Sequence, residues 1–248
     1  MHPKQLLSNM VIARQIREIL SGTPAGVVLT TRDFGIDMQH QPALAKALNR
    51  LVLQGDLQKV AKGKYYIPKK TVFGTLRPTD IELVKDLLEY NGKIIGYITG
   101  TTAFASMGLT TQISSSILIG ANKYRRPLVR NGVNISFLQQ DNPITRENIP
   151  LLRILDALRL IKVIPATSPD KCIQDIGNKI MEMSVDKQTD LLKLSLNYAP
   201  YVRALLGAIS ENVGIDANIL KQSLNGVTYY KLPISADALP NKKSWNIL

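Results

Sequence analysis

Hydrophobic and polar positions alternate along this chain in patterns that change character twice. Between Ser8 and Leu20, Met10, Val11, Ala13, Ile16, Ile19 and Leu20 recur with a helical period, Arg14, Arg17 and Glu18 fall on the outer face, and Gly22 ends the run. After Pro24 and Gly26, VVLT reads as a strand, and Thr31 is placed to cap a short helix beginning RDF. Pro42 suits the first turn of a third helix, where a missing N–H costs nothing; Leu44, Leu48, Leu51 and Val52 give that helix one buried stripe, and Gly55 stops it. The segments LQKV and YYIP, separated by AKGK, form a β-hairpin by local chemistry, with Gly63 free to adopt the positive φ of the turn. Tyr65 and Tyr66 point to opposite faces of that strand, so one is expected in the core and the other free to stack or hydrogen-bond.

Beyond the hairpin, TVFGTLRP reads as a connector. Thr79 and Glu82 form a capping-box pattern opening a helix that runs to Tyr90, where Asn91-Gly92 closes it. ILIGA and VNISFL are strand candidates flanking an Asn131-Gly132 turn. From Thr145 the pattern turns helical: NIPLLRILDALRLI, DKCIQDIGNKIMEM, DKQTDLLKLSLN and PYVRALLGAISENVG follow one another with Pro or Gly punctuation. Leu220, Leu224 and TYYKLPI predict a last helix and a short strand docking back. The expected fold class is α+β: residues 1–75 as an N-terminal winged helix-turn-helix, residues 76–248 as a mixed α/β C-terminal domain with a helical end. Helix, strand, short helix, longer helix, hairpin is the order of a winged helix-turn-helix, whose third helix enters the major groove while the hairpin wing touches the backbone nearby.

Charge sharpens this picture. The 248 residues carry 31 Lys and Arg against 19 Asp and Glu, a net +12 that points to an anionic partner. Through Thr75 there are 11 basic and 4 acidic residues, +7, so more than half the excess sits in less than a third of the chain. One cysteine, Cys172, and two histidines, His2 and His40, give no zinc-ligand spacing and no intrachain disulfide, so neither a metal nor a cofactor is expected. The N-terminus shows no charged-then-apolar leader, and no apolar run reaches the roughly 20 residues that span a bilayer, which makes a cytoplasmic protein without membrane contact the expectation.

On the third helix the leucine stripe leaves Gln41, Ala45, Lys46, Asn49 and Arg50 facing outward. Lys46 and Arg50 suit guanine or phosphate, and Asn49 and Gln41 suit adenine. In the hairpin, Lys59, Lys62 and Lys64 reach phosphates without a specified rotamer, and Tyr66 is the candidate for stacking. The bland readings are a solvated helix face and lysines that protect a sheet edge from aggregation. A second basic patch, Lys123, Arg125, Arg126 and Arg130 in NKYRRPLVR, is either a further nucleic-acid contact, a dock for an acidic protein, or a solvated loop. Enzyme readings find no phosphate-binding GxxxxGK[ST] loop, no GxSxG elbow and no HExxH. Asp33 and Asp37 read as helix-start carboxylates rather than a catalytic pair, Cys172 as a core residue and His40 as a surface residue.

The run TTRDF followed by ALNRLVLQGDLQKVAKGKYYIP resembles the winged-helix start of AbiEi-type antitoxins, in Leu48, Leu51, Gly55, Leu57, Gly63, Tyr65 and Pro68. The resemblance continues through TGTTAFASMGLTTQIS, in Gly100, Ala103, Gly108, Leu109 and Thr110, and into VRALLGAISENVG and LKQSLNG. It implies a two-domain, non-enzymatic antitoxin of an abortive-infection (phage-defence) system, which binds double-stranded DNA at its own promoter and neutralises a nucleotidyltransferase toxin. The alternative is a winged-helix transcriptional regulator or protein-interaction module without a toxin partner. Lys62 and Lys64 depart from the family pattern, in which arginine and an apolar residue are common; phosphate contact survives that change, bidentate guanine reading does not.

Overall fold

The helical period near the N-terminus becomes α1 (Pro3–Ser21), but its buried edge is shifted from the one expected. Ile12 and Ile16 are buried and Ile19 and Leu20 pack beside them, whereas Met10 and Val11 are 69% and 63% exposed. Positions 12, 16, 19 and 20 follow the i, i+4, i+7, i+8 spacing of a single helix stripe, and Met10 and Val11 lie off it. The computed structural model describes residues 3–72 and 74–248, with side chains in α1 from Met10 onward. The chain divides into two compact units, residues 1–85 with 129–133, and residues 86–128 with 134–248.

In the first unit, β1 (Val28–Thr30) is followed by a turn rather than by the short helix expected at RDF. Asp33 explains the difference: its Oδ2 accepts hydrogen bonds from the Thr30 N–H (2.6 Å) and hydroxyl (3.0 Å). A short acidic side chain that captures backbone N–H groups favours a turn over a helix. A single 3-10 turn, Met38–His40, then leads into α2 (Gln41–Gln54), with Pro42 in its first turn and Leu44 and Leu48 buried. Gly55 caps α2 in the left-handed region (φ 81°), where a side chain would be strained. The hairpin β2 (Gln58–Ala61) and β3 (Lys64–Tyr66) turns at Gly63 (φ 70°) and joins β1 in an antiparallel sheet of order β1-β3-β2.

β3 is the central strand, paired along both edges, and its side chains are buried on both faces. Tyr65 lies in the cluster of Ile12, Ile16, Phe34, Leu44 and Leu48, and Tyr66, equally buried on the other face, donates its hydroxyl hydrogen to Gln58 Oε1. Neither tyrosine is free to stack. Where a connector was expected, β4 (Lys69–Thr71) and β5 (Gly74–Leu76) pair as a small antiparallel hairpin; Phe73 lies outside the described residues, as does His2. The cap of α3 (Asp80–Leu88) forms at Thr79, whose hydroxyl accepts the Glu82 N–H at 3.3 Å. The Glu82 carboxylate accepts the Val28 N–H (2.7 Å), which ties α3 to β1.

In the second unit, helix α3 ends at Leu88, and Asn91-Gly92 is the turn of a hairpin, β6 (Glu89–Tyr90) and β7 (Lys93–Ile94), with both turn residues at positive φ. A sheet of order β10-β11-β9-β8 follows, from β8 (Gly96–Thr99), β9 (Ser116–Ala121), β10 (Leu128–Arg130) and β11 (Val133–Gln139), of which residues 129–133 are assigned to the first unit. ILIGA and VNISFL are strands as expected, but they run parallel, with Ile117 beside Ile135 and Ile119 beside Phe137. Parallel neighbours cannot share a tight turn, so Asn131-Gly132 joins β10 to β11 instead. Helix α4 (Thr101–Ser106) follows β8, and the helical end supplies α5 (Asn148–Arg159), α6 (Pro169–Met181), α7 (Val185–Ser195), α8 (Pro200–Asn212) and α9 (Asn218–Gln222). The tail docks back through a bridge from Tyr230 to Ile247. The whole is an α+β protein.

One polar cluster crosses the core of this unit. Asp156, fully buried on α5, accepts hydrogen bonds from Tyr97 (2.8 Å) and Thr99 (2.8 Å) at Oδ2 and from Tyr198 (2.9 Å) at Oδ1. Gln140 Nε2 donates to both tyrosine oxygens, and its Oε1 accepts the backbone N–H of Asn142. Burial pushes the Asp156 carboxyl up despite its three hydroxyl donors, and burial beside that carboxylate pushes both tyrosines up. Every acceptor of the carboxylate is engaged, which makes this a pin between strand β8 and helix α5 rather than an open reaction site.

Candidate nucleic-acid interface

The candidate surface begins with helix geometry. Burying Leu44 and Leu48 turns Lys46, Asn49, Arg50 and Leu53 outward at i, i+3, i+4 and i+7, one exposed stripe on α2. Lys46, Asn49 and Arg50 are exposed and, among the described residues, have no acidic partner. Leu53, 89% exposed, closes the stripe, and a surface hollow of about 750 Å³ beside it is lined by Ile12 and Ala13 of α1 and by Pro42, Ala43 and Ala47 of α2. The hairpin of the same unit presents Lys59 and Lys62 to solvent, while Lys64 is half-buried. Lys69 and Lys70 on β4, not among the sequence candidates, are exposed as well.

Three candidates do not fit the roles expected of them. Gln41 donates its amide Nε2 to the Ile36 carbonyl (2.7 Å), so the donor needed for adenine is engaged in anchoring the start of α2. Tyr66 is 1% exposed, with its hydroxyl bonded to Gln58, and burial pushes that hydroxyl up; its burial removes it from any contact surface. Arg130 is 6% exposed and donates to the Leu83 carbonyl at 2.7 Å, which makes it an internal brace of the first unit. The rest of the second patch lies in the other unit: Lys123 and Arg126 are exposed, and Arg125 stands 5.8 Å over the Phe137 ring. Arg130, buried and engaged, is therefore no part of an exposed patch.

What remains is a polar helix stripe and a cationic hairpin within one unit. Lys46 and Arg50 offer donors to phosphate or guanine, Asn49 offers the donor and acceptor pair that matches adenine, and Lys59 and Lys62 offer point charges on a short turn. A family model described as a family of unknown function, DUF6088, matches residues 15–143, more than half of the chain. The chain belongs to DUF6088. The DUF6088 segment takes in all of α2 and the β2–β3 hairpin, so the candidate surface lies wholly within it. No curated protein matches the chain. Among solved structures, the fold is similar to the crystal structure of the RV2827C protein from Mycobacterium tuberculosis, at 14% identity and a TM-score of 0.50, over 89% of this chain and 84% of that one. That likeness is one of fold alone.

Lys69 and Lys70 are not among the candidates because they fall between the YYIP strand and the TVFGTLRP connector, where the alternation that marks a strand is too short to register. Asp156 left a local signal, a lone carboxylate inside the apolar run LLRILDALRL. Among the described residues no group of three or more His, Cys, Asp or Glu side chains is placed to hold a metal, and no helix is long and apolar enough to cross a membrane.

Proposed function

We propose that the first unit is a winged helix-turn-helix that binds double-stranded DNA at the chain's own promoter, and that this DUF6088 protein is an autoregulatory antitoxin. In this reading α2 lies in the major groove with Asn49 and Arg50 at base edges, and the β2–β3 hairpin is the wing, with Lys59 and Lys62 on phosphates. The observation that carries it is the exposed stripe of Lys46, Asn49 and Arg50, set in the same small unit as the two hairpin lysines and unopposed by carboxylates. Corrected for Gln41, Tyr66 and Arg130, the reading rests on fewer residues, all of them accessible. The antitoxin role, with a nucleotidyltransferase toxin as partner and no catalysis by this chain, is supported by the motif resemblance from Leu48 to Pro68 and from Gly100 to Thr110.

The test is fluorescence anisotropy with a duplex from the chain's own upstream region across a salt series. The two hairpin cations on phosphates contribute about −2 to the log–log slope, and Lys62→Glu weakens promoter and unrelated duplex alike. Asn49→Ala instead narrows the difference between the two. Binding that ignores salt, or no preference for the upstream duplex, rules this function out. The antitoxin half is tested separately: the reading expects a nucleotidyltransferase gene in the adjacent reading frame and growth rescue when the chain is co-expressed with its product, and an adjacent frame of another kind, or no rescue, rules it out.

A further inference from the structure

A second surface, wholly within the second unit, has a composition of its own. Where α5 ends, Leu160 and buried Leu232 form an aliphatic floor, Val163 and Tyr229 stand 69% and 60% exposed above it, and the hollow between them measures about 570 Å³. A neighbouring hollow of about 590 Å³ continues past Leu232 to Pro233 and Leu248, sharing Lys162 and Lys231 as its rim. Lys162 and Lys231 are exposed and have no acidic partner among the described residues, and no Asp or Glu lines either hollow. Arg159, at one end, is held in place by donating to the Gln139 carbonyl (2.9 Å) while its own carbonyl accepts the Tyr201 hydroxyl (2.8 Å).

We infer that this groove docks an acidic segment of a protein partner, with an aliphatic or aromatic side chain on the Leu160–Leu232 floor and carboxylates against Lys162 and Lys231. Charge complementarity decides the sign of the occupant: the rim carries Lys162 and Lys231 and no Asp or Glu side chain, and the carboxyl group of Leu248 at the far end of the second hollow is turned to the Leu232 N–H (3.3 Å), so the stretch beside the two lysines repels basic segments and steers acidic ones. The floor decides its class. Leu160, Val163 and Leu232 are branched aliphatic surfaces suited to Leu, Ile or Phe; of the three tyrosines that line the hollow, Tyr201 and Tyr230 are half-buried, which leaves Tyr229 as the one well-exposed ring, whereas single-stranded nucleic acid needs successive ring faces. A fixed guanidinium at one end and two flexible ammonium groups along the side suit carboxylates spaced along a peptide. This surface is independent of the duplex-binding reading and stands or falls without it.

The experiment is selection of a displayed random-peptide library on the full chain, followed by affinity measurement of enriched peptides by anisotropy. The expected result is enrichment of peptides that place Asp or Glu around a Leu, Ile or Phe, with affinity lowered about tenfold or more by Val163→Glu and by the pair Lys162→Glu and Lys231→Glu. These positions are exposed, so unchanged thermal melting separates lost docking from lost folding, and unchanged promoter binding separates this surface from α2. No enrichment, enriched peptides without carboxylates, affinities indifferent to the substitutions, or displacement of the peptides by a single-stranded oligonucleotide would each overturn the inference.

Discussion

Asp156 shows how much a single residue decides in the second unit. Three hydroxyl donors converge on it from β8 and from the loop just before α8, and all three residues are buried. Asp156→Ala leaves those buried hydroxyls without their acceptor and opens a void, a loss of about 3 kcal/mol in chemical denaturation. Asp156→Asn keeps the shape and removes the titration, which isolates the charge. Because burial raises the carboxyl of the folded state, folding favours its protonated form; the contribution is whole below the ordinary carboxylate range and shrinks as pH rises through the raised value. The stability of the natural chain relative to Asp156→Asn therefore increases as pH falls through the raised value toward the ordinary carboxylate range, as urea midpoints at each pH will show. The opposite trend would mean that the hydroxyl donors outweigh burial.

Elements differ in how far their local sequence determines them. Helix α2 is legible throughout: Pro42 in its first turn, leucines on one side, Gly55 in the left-handed cap, and the polar stripe as what the leucines leave over. Leu48→Ala, fully buried between α1 and the sheet, should cost roughly 2–5 kcal/mol and lower duplex binding only as far as it unfolds the unit. Helix α8 is the contrasting case. Gly207 reads as an ordinary weak point in a helix, yet an added methyl there would enter the ring of Trp245, which the tail lays across the helix and anchors by a hydrogen bond to Glu211 (2.6 Å). Gly207→Ala should displace the tail and red-shift the emission of Trp245, the sole tryptophan, while the helix itself persists. Periodicity and turn chemistry act over a few residues, so α2, the hairpin turn at Gly63 and the helices from α5 to α8 could be read directly. Tyr66, Arg130 and the Asn131-Gly132 turn could not, because what buries or pairs them comes from segments far along the chain. The same holds for the candidate site: Lys46, Asn49 and Arg50 follow from the leucine stripe, whereas the exclusion of Tyr66 depends on strand pairing and packing, and that of Gln41 on a side-chain bond to the Ile36 carbonyl that periodicity does not register.

At the scale of the whole molecule, a net charge of +12 acts on any nucleic acid before a contact is made, and contact and field have separable signatures. A cation on a phosphate releases counterions, so losing it lowers the salt slope; a cation that contributes only to the field changes the association rate and is silenced beyond a Debye length of about 10 Å at 0.1 M salt. Lys59 and Lys62 belong to the first class in the proposed function. Lys123 and Arg126, exposed in the second unit and not joined by Arg130, belong to the second. Charge-neutralising Lys59→Gln and Lys62→Gln should each reduce the magnitude of the slope by about 1, at every duplex sequence. Lys123→Gln with Arg126→Gln should slow association at low salt, leave the dissociation rate unchanged, and lose its effect as salt is raised. Stopped-flow association measured with equilibrium anisotropy on the same duplex distinguishes the two. A reduced slope in the Lys123 and Arg126 pair would make that loop a second phosphate contact and enlarge the interface beyond the first unit.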